Sequence, residues 1–410
     1  MNKIKVIDSI MGSGKTTYII NMMNEAPEHE HFIFITPYLD EVARIKKSCV
    51  NRKFYEPKIH SEEGETLYKL DSLHKHLAEN KDIVTTHALF SMANETTKEL
   101  IYSGNYTLIL DEAMEVVKKL NISKDDLDML FKNKWIKNNN GTIIWNDEHE
   151  EKLNREYKGE FQTLKHLAKS KNLILHNDSV LFWQFPSDIF TQFKEVYNLT
   201  YLFDAQIQKY YYDINDIDYD LYAVLKDKDS YKITQHSRHY DKETKDRIKH
   251  KIKIYEGDLN RIGDDYYALS KSWFEKRSVL HKRLKNNILN YYQNIIKSKS
   301  KDNLWTTFKS HKSKLSGKGY TKGFLACNIK ATNEYSHKKS LVYSINRFVN
   351  PAVDDYFRSK GVSINEDSFA LSEMIQWIWR SAIRNNQAIN IYVPSSRMRN
   401  LLKDWLENER

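Results

Sequence analysis

The sequence predicts an α/β protein with two lobes, each built on a parallel β-sheet. Three observations carry this prediction. The chain has 410 residues, which is more than a single hydrophobic core usually organises. Its first quarter alternates short apolar strands with helical stretches, a pattern typical of parallel sheets. A second region with the same alternation begins at Leu304, so the predicted lobes lie toward the two ends of the chain.

The first lobe is predicted to span residues 1–205. In a parallel sheet, ligands bind beyond the carboxyl ends of the strands, so the polar residues that follow each strand are expected to converge. The polar stretch 116–178 is predicted to be a mainly helical insertion, with a turn at 138–141 and a short strand at 142–145. The other strands of this lobe are expected at residues 4–7, 32–36, 82–85, 107–110 and 196–200.

Residues 206–303 are predicted to form a basic, Tyr-rich accessory region that joins the lobes. Within it, residues 247–253 alternate basic and apolar side chains with the period of a strand. Its basic side chains are expected to add affinity for nucleic acid without reading sequence, and a solvated charged surface is the alternative. They include Arg247, Lys249, Lys251, Lys253, Lys282 and Arg283. The second lobe is predicted to span residues 304–410, with strands at 304–308, 323–327, 341–343 and 389–393.

Charge and cysteine content narrow the class of protein. Sixty-four Lys and Arg against 55 Asp and Glu leave a formal charge of +9, which favours polyanionic partners. Cys49 and Cys327 stand far apart and outside any Cys-x-x-Cys pair, so neither a disulfide framework nor a cysteine zinc site is expected. No apolar run reaches the ~18 residues that a membrane span needs. We therefore expect a soluble, cytoplasmic protein, in the host cytoplasm if a phage encodes it.

A phosphate-binding loop is predicted directly after the first strand. The sequence Gly-Ser-Gly-Lys-Thr-Thr follows that strand and precedes a helix, which is the setting such a loop requires. Glycines let backbone N–H groups surround phosphates, Lys15 offers a positive charge, and Thr16 offers a hydroxyl to Mg²⁺. The motif begins at Ser9, where a glycine is usual. The predicted ATP-binding residues are Gly12, Ser13, Gly14, Lys15, Thr16 and Thr17.

Two adjacent carboxylates end another predicted strand. Asp111 and Glu112 follow the apolar run Leu-Ile-Leu at residues 108–110. We expect Asp111 to hold Mg²⁺ together with Thr16, and Glu112 to orient the water that attacks the γ-phosphate. The alternative is that the pair only charges the first turn of a following helix.

Four segments resemble motifs I, Ia, Ic and II of superfamily 2 helicases, in that order along the chain. The Met-Gly-Ser-Gly-Lys-Thr form of the loop is similar to that of phage and viral replicative helicases, including herpesvirus origin-binding helicases. The resemblance implies two RecA-like P-loop NTPase lobes with ATP and Mg²⁺ in the cleft between them. The segments are Ser-Ile-Met-Gly-Ser-Gly-Lys-Thr at 9–16, Thr-Pro-Tyr-Leu-Asp-Glu-Val-Ala-Arg at 36–44, Thr-Thr-His-Ala-Leu at 85–89 and Asp-Glu-Ala-Met at 111–114.

A fifth segment, at residues 371–384, is similar to motif VI, which is usually written Gln-x-x-Gly-Arg-x-x-Arg. Gln376 and Arg380 match, Trp379 replaces the glycine, and the second arginine comes one position late at Arg384. The resemblance implies that one of these arginines is a finger for the γ-phosphate. Residues 372–384 are predicted to form one helix, on which Arg380 and Arg384 share a face. A helix that only covers the sheet is the alternative.

The resemblance also implies contacts with nucleic acid. The residues carried over from motifs Ia and Ic are Thr36, Arg44, Thr85 and Thr86. Looser matches to motifs III and V fall at residues 199–202 and 331–334. Trp273 and Phe274 are candidates for base stacking, with burial in a core as the alternative.

The predicted function is an ATP-dependent nucleic-acid helicase or translocase. Single-stranded or forked DNA is the expected partner, with RNA as an alternative, and the phage-like loop favours replication or recombination beside replication proteins. One alternative is a nucleotide-switched DNA-binding module, such as an origin-binding loader, that separates no strands. Another is a DNA-packaging ATPase, which normally carries a nuclease domain with clustered carboxylates.

Overall fold

The computed structural model describes residues 3–62, 65–154, 156–228, 230–327 and 334–408. It is an α/β protein with one main sheet in each half of the chain and a third sheet inserted into the first half. The first main sheet has seven strands and is parallel except at one edge. The second has four strands, all parallel.

The start of the first lobe alternates strands and helices as predicted. Alternate strand residues enter two different cores, with Val6 in one and Ile7 in the other, because helices cover both faces of the sheet. The elements are β1 (Ile4–Asp8), α1 (Lys15–Glu25), β2 (His31–Thr36), α2 (Leu39–Ser48), β3 (His60–Glu62), β4 (Glu65–Leu67), α3 (Lys69–Ala78), β5 (Ile83–Thr86), α4 (His87–Phe90), α5 (Glu95–Ser103) and β6 (Tyr106–Asp111).

The insertion contains an antiparallel sheet that the prediction of a mainly helical insertion did not include, although within 116–178 its three helices hold more residues than its strands. Its edge strands bury few side chains, which hides the alternation that would identify them in the sequence. The turn at 138–141 and the strand at 142–145 are confirmed. The elements are β7 (Val117–Lys119), α6 (Lys124–Lys132), β8 (Ile136–Asn139), β9 (Thr142–Trp145), α7 (Asp147–Lys152), α8 (Gln162–Lys169), β10 (Leu173–His176) and β11 (Val180–Gln184), with strand order β7-β11-β10-β9-β8.

The first sheet continues past residue 205, where the first lobe was predicted to end. A hairpin from the predicted accessory region completes it, because β13 pairs in parallel with β1 on the side away from β12. The added elements are β12 (Glu195–Thr200), α9 (Ile207–Ile214), β13 (Tyr219–Asp227) and β14 (Ser230–Gln235). The strand order is β14-β13-β1-β12-β6-β2-β5.

The second lobe begins well before residue 304, so the predicted accessory region is divided between the two lobes. Residues 242–249 are helical, and the strand predicted at 247–253 is only β15. Ile248 and Ile252 enter the same core from helix and strand, which mimics strand alternation. The elements are α10 (Lys242–Lys249), β15 (Ile252–Ile254), α11 (Lys271–Lys276), α12 (Ser278–Asn290), β16 (Asn303–Thr306), α13 (Lys312–Leu315), β17 (Ser340–Tyr343), α14 (Pro351–Ser359), α15 (Glu366–Ile378), β18 (Ile389–Tyr392) and α16 (Ser396–Glu407).

The strands of the second lobe follow the predicted pattern closely. They are ordered β15-β18-β17-β16, and three of the four strands expected after residue 304 are present. The stretch 323–327 forms only an isolated bridge, between Phe324 and Trp305. No helix in the described ranges is long and apolar enough to cross a membrane.

The second sheet separates two cores, and one of them faces the first lobe. On β16, Leu304 enters one core and Trp305 the other. The core that contains Leu304 also contains Ile10, Tyr201 and Leu202 of the first lobe. The edge of the first sheet that carries the glycine-rich loop therefore packs directly against the second lobe.

Candidate active site

The predicted phosphate loop connects β1 to α1. Gly12 and Gly14 have φ values of 82° and 97°, in the left-handed region that other residues rarely adopt. A side chain on Gly14 would also collide with the ring of Tyr231, which lies on β14. Both glycines therefore allow the loop to turn. At Gly14, the lack of a side chain also leaves room for the ring of Tyr231.

The structure explains why the loop starts with Ser9. The Ser9 hydroxyl accepts a hydrogen bond from the backbone N–H of Val224 at 2.9 Å. This bond ties the loop to β13, the strand that sequence reasoning placed outside the first lobe. The polar atom is buried, so its bond to the neighbouring strand also satisfies it.

Lys15 turns back into the loop. Its ammonium group donates to the carbonyl oxygens of Ser9 and, at 3.3 Å, of Ile10. Burial lowers the pKa of Lys15, and the charge of Glu112 opposes that effect. The side chain that would neutralise phosphates therefore lies among the loop carbonyls, close to the acidic pair.

Asp111 and Glu112 lie at the end of β6, as predicted. Glu112 has a φ of 69°, and its N–H donates to the carbonyl of Leu199 at 2.9 Å. The left-handed conformation is strained for a residue with a side chain, and such strain is commonly found at functional sites. Burial raises the pKa of Asp111 to about 7, with further contributions from the charges of Glu112 and Glu41.

We expect Asp111→Asn to stabilise the protein at pH 8 in the absence of divalent cations. Because the folded pKa of Asp111 is raised, ionisation destabilises the fold progressively as pH rises from about 4 to about 7. The variant removes this penalty. Its thermal midpoint should exceed that of the wild type by a few degrees at pH 8 and by little at pH 4.5. An equal difference at both pH values would contradict the shift, and Asp128→Asn, on an exposed helix surface, is the control.

The arginines of the second lobe face this acidic pair. Arg380 Nη2 lies 3.9 Å from Glu112 Oε1, and Arg380 is buried. Burial lowers the pKa of Arg384, and the next contributions come from Arg380, which lowers it, and from Glu41, which raises it. Both arginines therefore lie near the carboxylates of the first lobe.

The prediction of one helix over residues 372–384 is wrong. The helix α15 ends at Ile378, and Arg384 lies in a separate 3-10 turn, Ala382–Asn385. Between them, the Ser381 hydroxyl donates to the carbonyl of Ile378 and accepts from the N–H of Ile383. These local bonds replace the backbone bonds that would continue the helix. The two arginines reach the cleft from a turn and not from one helix face.

Gln376 remains apart from the acidic pair. Its amide donates to the hydroxyl of Ser372 on the same helix at 3.3 Å. Within the described residues, no hydrogen bond joins Gln376 to Lys15, Asp111 or Glu112.

The residues carried over for nucleic-acid contact divide into three groups. Thr36 and Thr85 are buried, so their hydroxyls are not available to a backbone in this conformation. Arg44 pairs with Glu41 at 2.6 Å, and their charges reach Asp111 and Arg384, which places them at the cleft. Thr86, the last residue of β5 and directly before α4, is half-buried.

Two further sequence matches have different outcomes. Trp273 and Phe274 are buried in the outer core of the second lobe, so the stacking hypothesis is wrong for them. Of the motif V candidate, residues 331–333 lie outside the described residues.

A buried ion pair behind the phosphate loop escaped sequence reasoning. Asp8, the last residue of β1, accepts two hydrogen bonds from Arg238, at 2.8 and 3.1 Å. It also accepts the N–H groups of Leu202 and Phe203, which holds Leu202 at a φ of 56°. No local pattern reveals a pair separated by 230 residues.

The same segment, where motif III was expected, contacts the second lobe. Trp405 Nε1 donates to the hydroxyl of Tyr201 at 3.1 Å, and the guanidinium of Arg238 lies 5.7 Å from the Tyr201 ring centroid. The end of β1, the segment after β12 and helix α16 are thus linked through a few buried side chains.

Two features of the site are compatible with the predicted magnesium nucleotide, which stays a prediction. Within the described residues, Ser13 Oγ and Arg380 Nε are buried without a hydrogen-bond partner. Such atoms are costly to leave unpaired, and phosphate oxygens would satisfy them. The raised pKa of Asp111 likewise indicates a carboxylate that a cation would stabilise. Thr16 and Asp111 are the residues that would hold Mg²⁺.

Comparison with solved structures shows a related overall fold. The structure of S. tokodaii Xpd4 matches with a TM-score of 0.51 and 14% identity, over 98% of this chain and 94% of that chain. The structure of the DUF1998 helicase MrfA bound to DNA and AMPPNP matches with a TM-score of 0.34 and 11% identity, over 99% of this chain and 48% of that chain. Only the first value is high enough to support a common fold.

Comparison with sequences identifies the family. Residues 117–183 match the YonV middle domain, and residues 246–406 match the YonV C-terminal Rossmann-like domain. These ranges correspond to the inserted sheet and to the second lobe as it begins at α10. The SPbeta prophage-derived uncharacterized protein YonV of Bacillus subtilis (strain 168) is 88% identical over 410 residues, covering 100% of both chains. The chain therefore belongs to the YonV family.

Proposed function

We propose that the protein is an ATP-driven nucleic-acid motor, a helicase or translocase. The observation that carries this proposal is the meeting of Arg380, from the second lobe, with Glu112, from the phosphate-loop lobe, at 3.9 Å. A nucleotide site completed by a second lobe can link hydrolysis to movement between lobes. A site completed within one lobe would have no such link.

Each side chain has a distinct role in the proposed reaction. Lys15 and the glycine turns bind the β- and γ-phosphates of ATP, and Glu112 orients the attacking water. Arg380 or Arg384 neutralises the charge that develops on the transferred phosphoryl group. When bound, Mg²⁺ would supply charge neutralisation between the β- and γ-phosphates.

We further propose DNA as the substrate, and replication or recombination of a phage as the setting. The prophage origin of the relative that is 88% identical supports the setting. The net charge of +9 supports a polyanionic substrate. Of the residues carried over from motifs Ia and Ic, Arg44 and Thr86 are not buried, and these two support a track for the strand near this edge of the first sheet.

The arrangement favours a motor over a packaging ATPase. A packaging enzyme would normally add a nuclease site with clustered carboxylates. In the second lobe, four acidic side chains instead pair with separate basic partners. The pairs are Asp354 with Arg358, Asp355 with His176, Asp367 with Arg397, and Glu373 with Arg347.

ATP turnover in the presence of single-stranded DNA, duplex DNA and RNA tests the proposal. We expect one single-stranded nucleic acid to stimulate turnover by at least about tenfold, because binding favours the closed cleft. Strand displacement on substrates with either overhang then separates a helicase from a translocase that opens no duplex. Turnover that no nucleic acid changes would contradict the motor and favour the nucleotide-switched binding module.

A further inference from the structure

The second lobe contains a strongly basic stretch with few acidic residues. Residues 271–322 include fourteen Lys and Arg but only two acidic residues, Glu275 and Asp302. This excess of twelve positive charges is larger than the +9 of the whole chain, so the remainder of the chain is slightly acidic. All but one of the fourteen basic residues are exposed.

Helices α11, α12 and α13, which carry half of these cations, lie on the side of the second lobe that faces away from the first. Helices α11, α12 and α13 cover one face of the second sheet, where their apolar residues join Trp305 in a core. The opposite face carries the core that includes Ile10 and Tyr201 of the first lobe. We call the exposed cations of residues 271–322 the basic outer face.

The basic outer face is continuous across neighbouring helices. The pKa of His281, on α12, is lowered by burial and then by the charge of Lys314, on α13. The pKa of His311 is lowered by burial, by Lys314 and, more weakly, by Lys271 at the start of α11. The ring centroid of Phe274, on α11, lies 5.4 Å from that of His281, on α12, and 5.1 Å from that of His311, directly before α13, so the three helices lie side by side.

Among the residues that the structure describes, the cations of the basic outer face have no acidic partners. None of the fourteen forms an ion pair within 4.0 Å with a residue in the described part of the chain. Elsewhere on this protein, many exposed lysines do have such a partner, for example Lys137 with Glu148 at 3.1 Å. A surface that keeps so many like charges together, at a cost in repulsion, is suited to an anionic partner.

The chemistry of the face favours a duplex over a single strand. Proteins that bind single strands combine a basic groove with exposed aromatic rings that stack on bases. Here the aromatic side chains, including Trp273, Tyr292 and Tyr320, are buried in the outer core. Apart from the exposed Val279 and Ile295, the exposed side chains are mainly cationic and polar, which suits phosphate contacts that carry no sequence information.

We propose that the basic outer face binds the phosphate backbone of a nucleic-acid duplex, separately from the nucleotide cleft. It would hold double-stranded nucleic acid against the moving second lobe. The inference deepens the proposed function, because it adds a second contact for the same substrate class. It does not depend on the state of the cleft, since the second sheet lies between them.

Duplex binding by a four-site variant tests the proposal. Lys282, Arg283, Lys312 and Lys314 are exposed residues of α12 and α13, and alanine is well tolerated on helix surfaces. Affinity for a blunt DNA duplex should fall by at least about tenfold when all four are alanine. The slope of log K against log salt should fall by about 2 to 4, since each phosphate contact contributes about 0.9.

A matched variant and two further ligands complete the test. Alanine at Lys119, Lys124, Lys132 and Lys158, four exposed lysines of the insertion, removes the same charge and should change duplex binding by less than about twofold. Binding of a single strand of the same length, and turnover stimulated by a saturating single strand, should persist in both variants. That stimulation also reports on the proposed function independently.

Two results would overturn the proposal. One is an unchanged duplex affinity and salt slope in the four-site variant. The other is a wild-type protein that binds vesicles of anionic phospholipid through these residues while it does not bind the duplex. In the second case the partner of the basic outer face would be a membrane surface.

Discussion

Arg380→Ala is expected to reduce nucleic-acid-stimulated ATP hydrolysis by about 10³-fold, the scale on which arginine fingers act. ATP binding should remain within a few-fold of the wild type, because Lys15 and the glycine turns of the first lobe form the ground-state contacts. Arg380 belongs to the other lobe and lies 3.9 Å from Glu112. Its positive charge is therefore placed where charge would develop during hydrolysis.

The comparison with Arg384→Ala decides which arginine acts as the finger. Steady-state turnover with saturating single-stranded DNA and nucleotide affinity by fluorescence should both be measured for the two variants. Arg358→Ala, which removes an exposed arginine paired with Asp354, is the control for the loss of charge alone. If Arg384→Ala abolishes turnover while Arg380→Ala does not, the finger is Arg384. Normal turnover in both variants would exclude completion of the site by the second lobe.

Lys15→Ala should abolish ATP hydrolysis and strand separation. Lys15 is the one cationic side chain of the phosphate loop, so its removal leaves the β- and γ-phosphates without a direct positive charge from that loop. We expect nucleotide affinity to fall by at least about 10²-fold and turnover to fall to background. Near-normal turnover would contradict the assignment of the loop.

Glu112→Gln is the informative partner of Lys15→Ala. It keeps the size of the side chain and leaves Lys15, Thr16 and Asp111 in place, so nucleotide binding should persist while hydrolysis falls by about 10² to 10³-fold. Measuring affinity and single-turnover hydrolysis separately distinguishes the two variants. A loss of affinity as large as that of Lys15→Ala would show that Glu112 has a structural role or holds the metal.

Local sequence patterns predicted correctly those features that depend on a single strand and the residues directly after it. The phosphate loop follows from the order of an apolar strand, Gly12, Gly14 and a helix, and the structure contains that order. The acidic pair follows from the apolar run before Asp111. Strand burial on both faces gave continuous apolar runs, which is why the parallel strands were readily located.

Sequence patterns did not predict features that depend on contacts between segments far apart in the chain. The hairpin of β13 and β14 belongs to the first sheet because β13 pairs with β1, about 215 residues earlier in the chain. The inserted sheet has edge strands with few buried side chains, so its strands resembled solvated helices. The predicted helix over 372–384 is interrupted at Ser381, whose hydroxyl forms two hydrogen bonds with the backbone. The spacing of the two arginines along the chain gave no sign of this interruption.

The sequence by itself determined the α/β class, the glycine turns after β1 and the acidic pair at the end of β6, because strand period, glycine placement and carboxylate position are local properties. Only the tertiary structure decided how the site is completed. It placed Arg380 beside Glu112, paired Asp8 with Arg238 and buried Thr36. These outcomes depend on which sheets pack together, and the packing of two sheets sums many weak contacts between residues far apart in the chain.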